Sequence, residues 1–211
     1  MIKKQDSNEV YHSHNSISAS GLKTIYKKSV FHYINKEQFT STPAMNFGSA
    51  VHSALLEPDK KEILALPEKI NLRTKKDRDF KAKLIEDNKD KIIISHDEKK
   101  YLEQIVDNVN SNSLAMKLLN GLDEIEYSYY GSIDEVDVRV RPDGLKRNRH
   151  IIDIKTCQDA SPKAFRNAIY NFSYHLQACF YSEALGYDPS SFRFIAIENK
   201  YPFDVAVYSL S

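Results

Sequence analysis

Residues 141–156 read RPDGLKRNRHIIDIKT, and this stretch places an acid and a lysine inside an otherwise apolar segment. Ile151, Ile152 and Ile154 predict a buried strand, yet Asp153 and Lys155 lie among them. Side chains two positions apart in a strand share a face, so the two charged groups are expected roughly 7 Å apart on the same side. Because burying unpaired charges costs several kcal/mol, a metal ion, a counter-charge or a substrate is expected beside them.

The spacing of the acid and the lysine does not by itself select this site. The same spacing occurs four more times, at Asp59 and Lys61, Asp79 and Lys81, Asp87 and Lys89, and Asp97 and Lys99. Those four pairs lie in stretches crowded with charged residues, where a solvated surface is expected. Only the pair in the apolar segment calls for a compensating partner.

A second acid, Asp143, precedes Asp153 by ten residues and follows a run of alternating apolar and polar residues. A short turn between the two predicts a hairpin that brings both carboxylates to one edge of a sheet. Two carboxylates beside Lys155 form a donor set suited to Mg²⁺ or Mn²⁺. The lysine is placed to hold or deprotonate a water and to offset charge on a phosphate, which indicates phosphodiester hydrolysis.

Composition sets further bounds. The 211 residues fit one domain, predicted over residues 1–211, and the net charge of +1 gives no global basic field, so any DNA surface must come from segregated charge. Cys157 and Cys179 form no C-x-x-C pair, which argues against a zinc ribbon, an iron–sulfur cluster or a disulfide scaffold. With no apolar run that suggests a signal peptide or a membrane span, a soluble protein in a reducing cytoplasm is expected.

The hydrophobic patterns predict helices packed on a sheet, an α/β or α+β fold. Helices are predicted after Ser18 or Ser20, over 45–56, from the capping box at Ser95 and Glu98 to about 119, and from 161 to 186 with a break near Ser173. Strands are predicted over 132–140, 150–156, 191–197 and 205–210. Residues 1–15 are expected to be flexible, and 59–91 to form a charged surface helix or a mobile loop.

Several quoted stretches together resemble the PD-(D/E)xK nucleases. Pro142-Asp143 and Asp153-Ile154-Lys155 match the motif, and NFGSAVHSALLEP (46–58) resembles the helix that presents a metal-binding histidine, here His52. YHLQACFYSEAL (174–185) resembles the Q-x-x-x-Y motif, at Gln177 and Tyr181, which share a helix face. SISASGLKTIYKKSVFHY (16–33) and TPAMNFG (42–48) resemble the start of the RecE (exonuclease VIII) domain, related to the RecB nuclease domain and lambda exonuclease.

The resemblance covers residues 16–210 and implies a restriction-endonuclease-like core, with a central mixed sheet flanked by helices and a helical amino-terminal portion. It implies a Mg²⁺ or Mn²⁺ site formed by His52, Asp143, Asp153 and the carbonyl of Ile154. The catalytic residues that it implies are His52, Asp143, Asp153, Lys155 and Gln177.

The resemblance also implies a substrate, double-stranded DNA degraded from an end in the 5′ to 3′ direction. The implied setting is phage or prophage recombination in a bacterial cytoplasm, with a homo-oligomeric ring and a single-strand annealing partner. Contacts with DNA are expected from Gln177, Tyr181, Arg139, Arg141, Ser18, Ser20 and Lys23. Two alternatives stay open: an endonuclease or repair nuclease with the same site, and a non-catalytic DNA-binding protein on a decayed nuclease fold.

Overall fold

The computed structural model describes residues 1–35, 42–60, 63–71 and 73–210. The first half of the chain contains β1 (Ile2–Lys4), α1 (Asn8–Ser13), α2 (Ala19–Lys27), α3 (Val30–Ile34), α4 (Pro43–Leu56), β2 (Ile63–Ala65), α5 (Lys75–Asp87), β3 (Ile92–Ile94), α6 (His96–Ser111) and α7 (Ser113–Leu119). The second half contains β4 (Glu124–Ile125), β5 (Ser128–Ile133), β6 (Val136–Val140), β7 (Gly144–Lys146), β8 (His150–Cys157), α8 (Pro162–Asn171), α9 (Tyr174–Leu185), a short 3-10 helix (Pro189–Ser191), β9 (Phe192–Glu198) and β10 (Val205–Ser209). Among the described helices, none combines the length and apolar character needed to cross a bilayer.

The central sheet has the strand order β10-β9-β8-β7-β4, and β8 is its middle strand. β8 pairs in parallel with β9, and the register runs from Ile151 opposite Phe192 to Cys157 opposite Glu198. On its other side β8 pairs antiparallel with β7, with Ile152 opposite Gly144. The sheet is therefore mixed, and helices cover both of its faces. This architecture confirms the predicted fold. A hairpin does precede β8, but its first strand is β7 and not the predicted strand over 132–140, which lies in β5 and β6 of a second sheet.

The two faces of β8 are buried against different helices. Ile152 and Ile154 belong to a core with residues of α4, α6 and α7, while Ile151 belongs to a second core with residues of α8 and α9. Alternation along the strand therefore turns Asp153 and Lys155 toward the α8 and α9 side. The strand is buried on both faces, which explains its nearly continuous isoleucine sequence.

The amino-terminal segment is ordered, contrary to the flexible segment that was expected over residues 1–15. β1 extends a second sheet of order β1-β5-β6, and its Ile2 lies opposite Tyr130. Asp6 accepts hydrogen bonds from Arg141 and Tyr130, each at 2.6 Å. The expectation was wrong because the partners of this polar segment lie more than 120 residues away and leave no local pattern.

Residues 59–91 contain a surface helix, α5, in agreement with one of the two alternatives, and positions 61, 62 and 72 lie outside the described residues. β2 and β3 form a parallel pair that the sequence pattern did not indicate, because each has three residues. The helix predicted to run to about 119 is divided at Asn112, whose side chain accepts a hydrogen bond from Ala115 N–H and caps α7. The break at Ser173 and the end at Gly186 are confirmed.

Candidate metal and active site

α4 brings His52 to the central sheet. Phe47, Ala50 and Val51 bury the inner face of this helix, and a Cβ at Gly48 would lie 3.4 Å from Thr156 Oγ1, so the helix approaches β8 closely. His52 Nε2 lies 3.1 Å from the carbonyl oxygen of Ile154. The histidine is thus fixed against the middle of the sheet while about a quarter of its side chain remains exposed.

Asp143 accepts a hydrogen bond from the part of β8 that lies past the end of β7. β7 begins at Gly144, which lies opposite Ile152 of β8. The N–H and C=O of Ile154, two residues further along β8, therefore lie past the end of β7. Asp143 Oδ2 accepts the N–H of Ile154 at 2.6 Å and lies 3.4 Å from His52 Nδ1. The two polar groups of one residue, its N–H and its C=O, therefore position an aspartate and a histidine side by side.

Glu126 is the third member of this cluster, and no sequence pattern had indicated it. It follows β4 with a φ of 54°, in the left-handed region, and its N–H donates to the carbonyl of Asp143 at 3.2 Å. Its Oε1 lies 4.0 Å from His52 Nδ1. One ligand atom from each of His52, Glu126 and Asp143 lies within 4.8 Å of the other two. We call these three residues the acceptor cluster.

The charges of the acceptor cluster favour a bound cation. Burial, and next the neighbouring Asp143 carboxylate, raise the pKa of Glu126 to about 8. Burial also raises the pKa of Asp143, and Asp153 adds to this while His52 opposes it. In the tautomer whose Nε2–H donates to Ile154, His52 Nδ1 is an acceptor that faces two carboxylates. Such a set requires protons or a metal ion, and its oxygen and imidazole donors fit Mg²⁺ or Mn²⁺.

Asp153 and Lys155 form a separate, buried pair. Asp153 Oδ1 accepts a hydrogen bond from Gln177 Nε2 at 2.5 Å, and Lys155 Nζ is in close ionic contact with Oδ2. Among the described residues, none gives Oδ2 a hydrogen bond of regular geometry. Burial alone would lower the pKa of Lys155, but the carboxylates of Asp153 and Asp143 raise it above its usual value. The two carboxylates therefore favour the ammonium form of this lysine.

Lys23 extends this pair across the interior to α2. Its Nζ donates to Gln177 Oε1 at 2.8 Å, so Lys23, Gln177 and Asp153 form a chain of hydrogen bonds that joins α2, α9 and β8. Burial, and next the charge of Lys155, lower the pKa of Lys23 to about 8. Lys23 was expected at a DNA contact, and it lies directly behind Gln177.

Three residues expected to contact DNA have internal partners instead. Tyr181 is 6% exposed and packs against Phe192. Arg139 is 4% exposed, and its guanidinium donates to the carbonyls of His14 and Ser16. Arg141 pairs with Asp6. The expectations for the arginines do not fit this conformation, because the amino-terminal segment covers the strand face that carries them. Tyr181 does not fit because its ring is buried in the core on the α8 and α9 side of the sheet.

The two serines at the start of α2 lie nearer the surface. Ser18 caps the helix by accepting the N–H of Gly21 at 3.3 Å, and its hydroxyl lies 2.9 Å from that of Ser20. Ser20 is exposed. The part of these serines in DNA binding remains a prediction.

A mixed sheet that carries an acid before one strand, an acid and a lysine in the next and a helix-borne histidine defines a protein of the PD-(D/E)xK nuclease superfamily. Residues 18–211 match the family described as "PDDEXK-like domain of unknown function (DUF3799)", and the chain belongs to this family.

Comparison with solved structures agrees with this fold. A protein from Eubacterium rectale described as "Putative exonuclease" is similar, with a TM-score of 0.62 and 15% sequence identity over 99% of this chain and 79% of that chain. The structure of SSO0001 has a TM-score of only 0.35 at 12% identity, over 82% of this chain and 78% of that chain, which is too low to bear on the fold. No curated protein matched the chain.

Proposed function

We propose that this protein is a divalent-metal-dependent deoxyribonuclease that hydrolyses phosphodiester bonds. The observation that carries the proposal is the acceptor cluster of His52, Glu126 and Asp143, set next to the charged pair of Asp153 and Lys155. The cluster is a site for a cation, and the pair supplies a fixed ammonium beside it. Together these groups match what the hydrolysis of a negatively charged phosphodiester requires.

The side chains of this chain have distinct parts in the proposed reaction. Lys155, held protonated by Asp153, donates hydrogen bonds to the attacking water and offsets the negative charge that develops on the phosphate oxygens. Gln177 fixes the Asp153 carboxylate, and Lys23 fixes Gln177 from behind. The lysine ammonium is therefore held in one place before the substrate arrives, so little reorganisation is needed during the reaction.

His52, Asp143 and Glu126 are the residues that would hold the metal ion, with the carbonyl of Ile154 next to them. When bound, a divalent ion supplies Lewis-acid polarisation of the phosphate and lowers the pKa of a bound water. Asp153 was expected as a further ligand. Its carboxylate is engaged by Gln177 and Lys155, so its part in metal binding is a proposal that requires these contacts to rearrange.

We propose the ends of double-stranded DNA as the substrate, with degradation from 5′ to 3′. The resemblance to RecE-like exonucleases supports this choice, and the similar structure from Eubacterium rectale carries an exonuclease description. The production of single strands for an annealing partner and a ring-shaped homo-oligomer remain predictions of the same resemblance.

Digestion of two DNA substrates tests the proposal. Linear duplex with 5′-phosphates and covalently closed circular duplex are incubated with the protein in Mg²⁺ or Mn²⁺. We expect degradation of the linear DNA alone, and a loss of about 10²-fold or more in rate for Lys155→Met and Asp143→Asn. Lys100→Met, an exposed change on α6, is the matched control and should retain the rate.

Each contrary outcome removes a defined part of the proposal. Equal cleavage of both DNAs would show an endonuclease. Intact DNA with either metal would leave the non-catalytic alternative, and a rate retained by Lys155→Met in a folded protein would remove the proposed role of the lysine.

A further inference from the structure

Two aromatic rings form a step at the junction of α8 and α9. Ser173 joins the helices with a φ of 51°, in the left-handed region, and places Phe172 and Tyr174 on either side of it. The two rings stack, with centroids 5.6 Å apart and planes inclined by 27°. Phe172 is 58% exposed although it is wholly apolar. We call Phe172 and Tyr174 the aromatic step.

The inner end of the aromatic step touches the active site. Lys155 Nζ and Lys23 Nζ each lie 5.1 Å from the centroid of the Tyr174 ring. Behind it, Phe165 and Phe194 pack against Tyr174 with centroids 6.2 and 5.9 Å away and hold its ring in place. The step therefore leads from the proposed catalytic lysine outward to an exposed phenyl ring.

Three lysines lie beside the aromatic step. Lys27, on the last turn of α2, donates through Nζ to the carbonyl of Asn171, next to Phe172. Lys23 and Lys155 lie at the other end. A rigid aromatic surface flanked by ammonium groups is suited to a polyanion that carries flat rings. Single-stranded nucleic acid is such a ligand, because its bases stack on aromatic side chains and its phosphates pair with lysines. An apolar protein segment would gain nothing from the three lysines.

We propose that Phe172 and Tyr174 form a stacking platform for an unpaired base next to the phosphodiester that is cut. The ligand is a frayed or single-stranded end, since the bases inside a duplex already stack on their neighbours on both faces. This inference deepens the proposed nuclease function and rests on it for the identity of the bond that is cut. It assigns to Phe172 the preference for a frayed or single-stranded DNA end over a fully paired end.

Fluorescence of 2-aminopurine tests the platform separately from hydrolysis. A 5′-phosphorylated oligonucleotide carries the probe near its 5′ end, and the full chain is titrated into it in Ca²⁺ and, separately, in EDTA. We expect quenching on binding, because the probe stacks on the aromatic step. Phe172→Leu, which keeps an apolar side chain, should lose the quenching and bind about 10-fold more weakly, and Phe172→Trp should restore both. Phe80→Leu, on an exposed position of α5, is the matched control.

The outcomes separate the two proposals. If Phe172→Leu binds and quenches like the wild type, or changes no more than Phe80→Leu, the platform is refuted even when the protein hydrolyses DNA. If quenching depends on Phe172 but the wild type cuts no DNA, the platform stands and the nuclease proposal fails. The wild type should also prefer a single-stranded end to a blunt duplex, and a preference that persists in Phe172→Leu would contradict the inference.

Discussion

Replacement of Glu126 by glutamine is expected to stabilise the metal-free protein at alkaline pH while weakening its stabilisation by metal. The carboxyl has an ordinary pKa of 4.5, and burial beside Asp143 raises it to about 8. Between these values the folded protein keeps a proton that the unfolded chain releases, so the free energy of unfolding falls as the pH rises, by about 1.4 kcal/mol per pH unit. Glutamine has the shape of the neutral acid and escapes this loss.

The structure bounds the size of the effect. The full pKa difference corresponds to about 4 kcal/mol at pH 8. Two features reduce it: Asp143 shares the titration, and 29% of the Glu126 side chain is exposed to solvent. We therefore expect Glu126→Gln to be about 2 kcal/mol more stable than the wild type at pH 8, and within about 1 kcal/mol of it at pH 5.

Urea unfolding of the metal-free proteins at pH 5 and pH 8 measures this difference. Glu103→Gln, an exposed change on α6, is the control and should follow the wild type at both values. Mn²⁺ added at pH 8 should stabilise the wild type increasingly, with the logarithm of its concentration above the Kd, and Glu126→Gln much less. If the two proteins are equally stable at pH 8, the raised pKa is refuted. If Mn²⁺ stabilises both equally, Glu126 is not a ligand.

Three further substitutions test other parts of the structure. Arg141→Gln breaks the largely buried pair with Asp6 and should cost about 3 kcal/mol in urea unfolding, with unchanged stabilisation by Mn²⁺. Lys23→Met leaves Gln177 Oε1 without its donor and should lower the hydrolysis rate about 10-fold at saturating metal, again with metal binding unchanged. Ile105→Ala opens a cavity in the core formed with α4 and should cost about 2–5 kcal/mol of unfolding free energy, measured in the same way.

The sequence predicted a secondary-structure element well where a single local pattern determines that element. The isoleucines around Asp153 predicted a buried strand, and the short separation of Asp143 from that strand predicted that the two acids lie close together, although β7, which forms the hairpin, was not predicted. The break at Ser173 and the end at Gly186 likewise rest on local chemistry. The strand pairs β1 with β5 and β2 with β3 could not be predicted, because three-residue strands carry no periodicity and find their partners across the fold.

The contacts of Arg139 and Arg141 and the position of Glu126 could not be predicted for the same reason. Alternation predicted Arg139 and Arg141 on one face, but it could not show that the amino-terminal segment contacts both side chains. Glu126 had a weak signal, since DEIE offers three acids in four positions. Its selection depends on a left-handed φ and on a hydrogen bond to the carbonyl of Asp143, neither of which is written in the local sequence.

The buried acid and lysine of β8 now have a different explanation from the one that their sequence invites. Asp153 and Lys155 compensate each other's charge, and Gln177 donates a hydrogen bond to Oδ1 of the carboxylate, while Oδ2 is in ionic contact with the lysine. The uncompensated groups are the acceptors of His52, Glu126 and Asp143 beyond the end of β7. The place for the proposed cation is therefore the edge of the sheet, next to the pair. In the proposed reaction, the contact with Asp153 holds the ammonium of Lys155 beside the site for the cation.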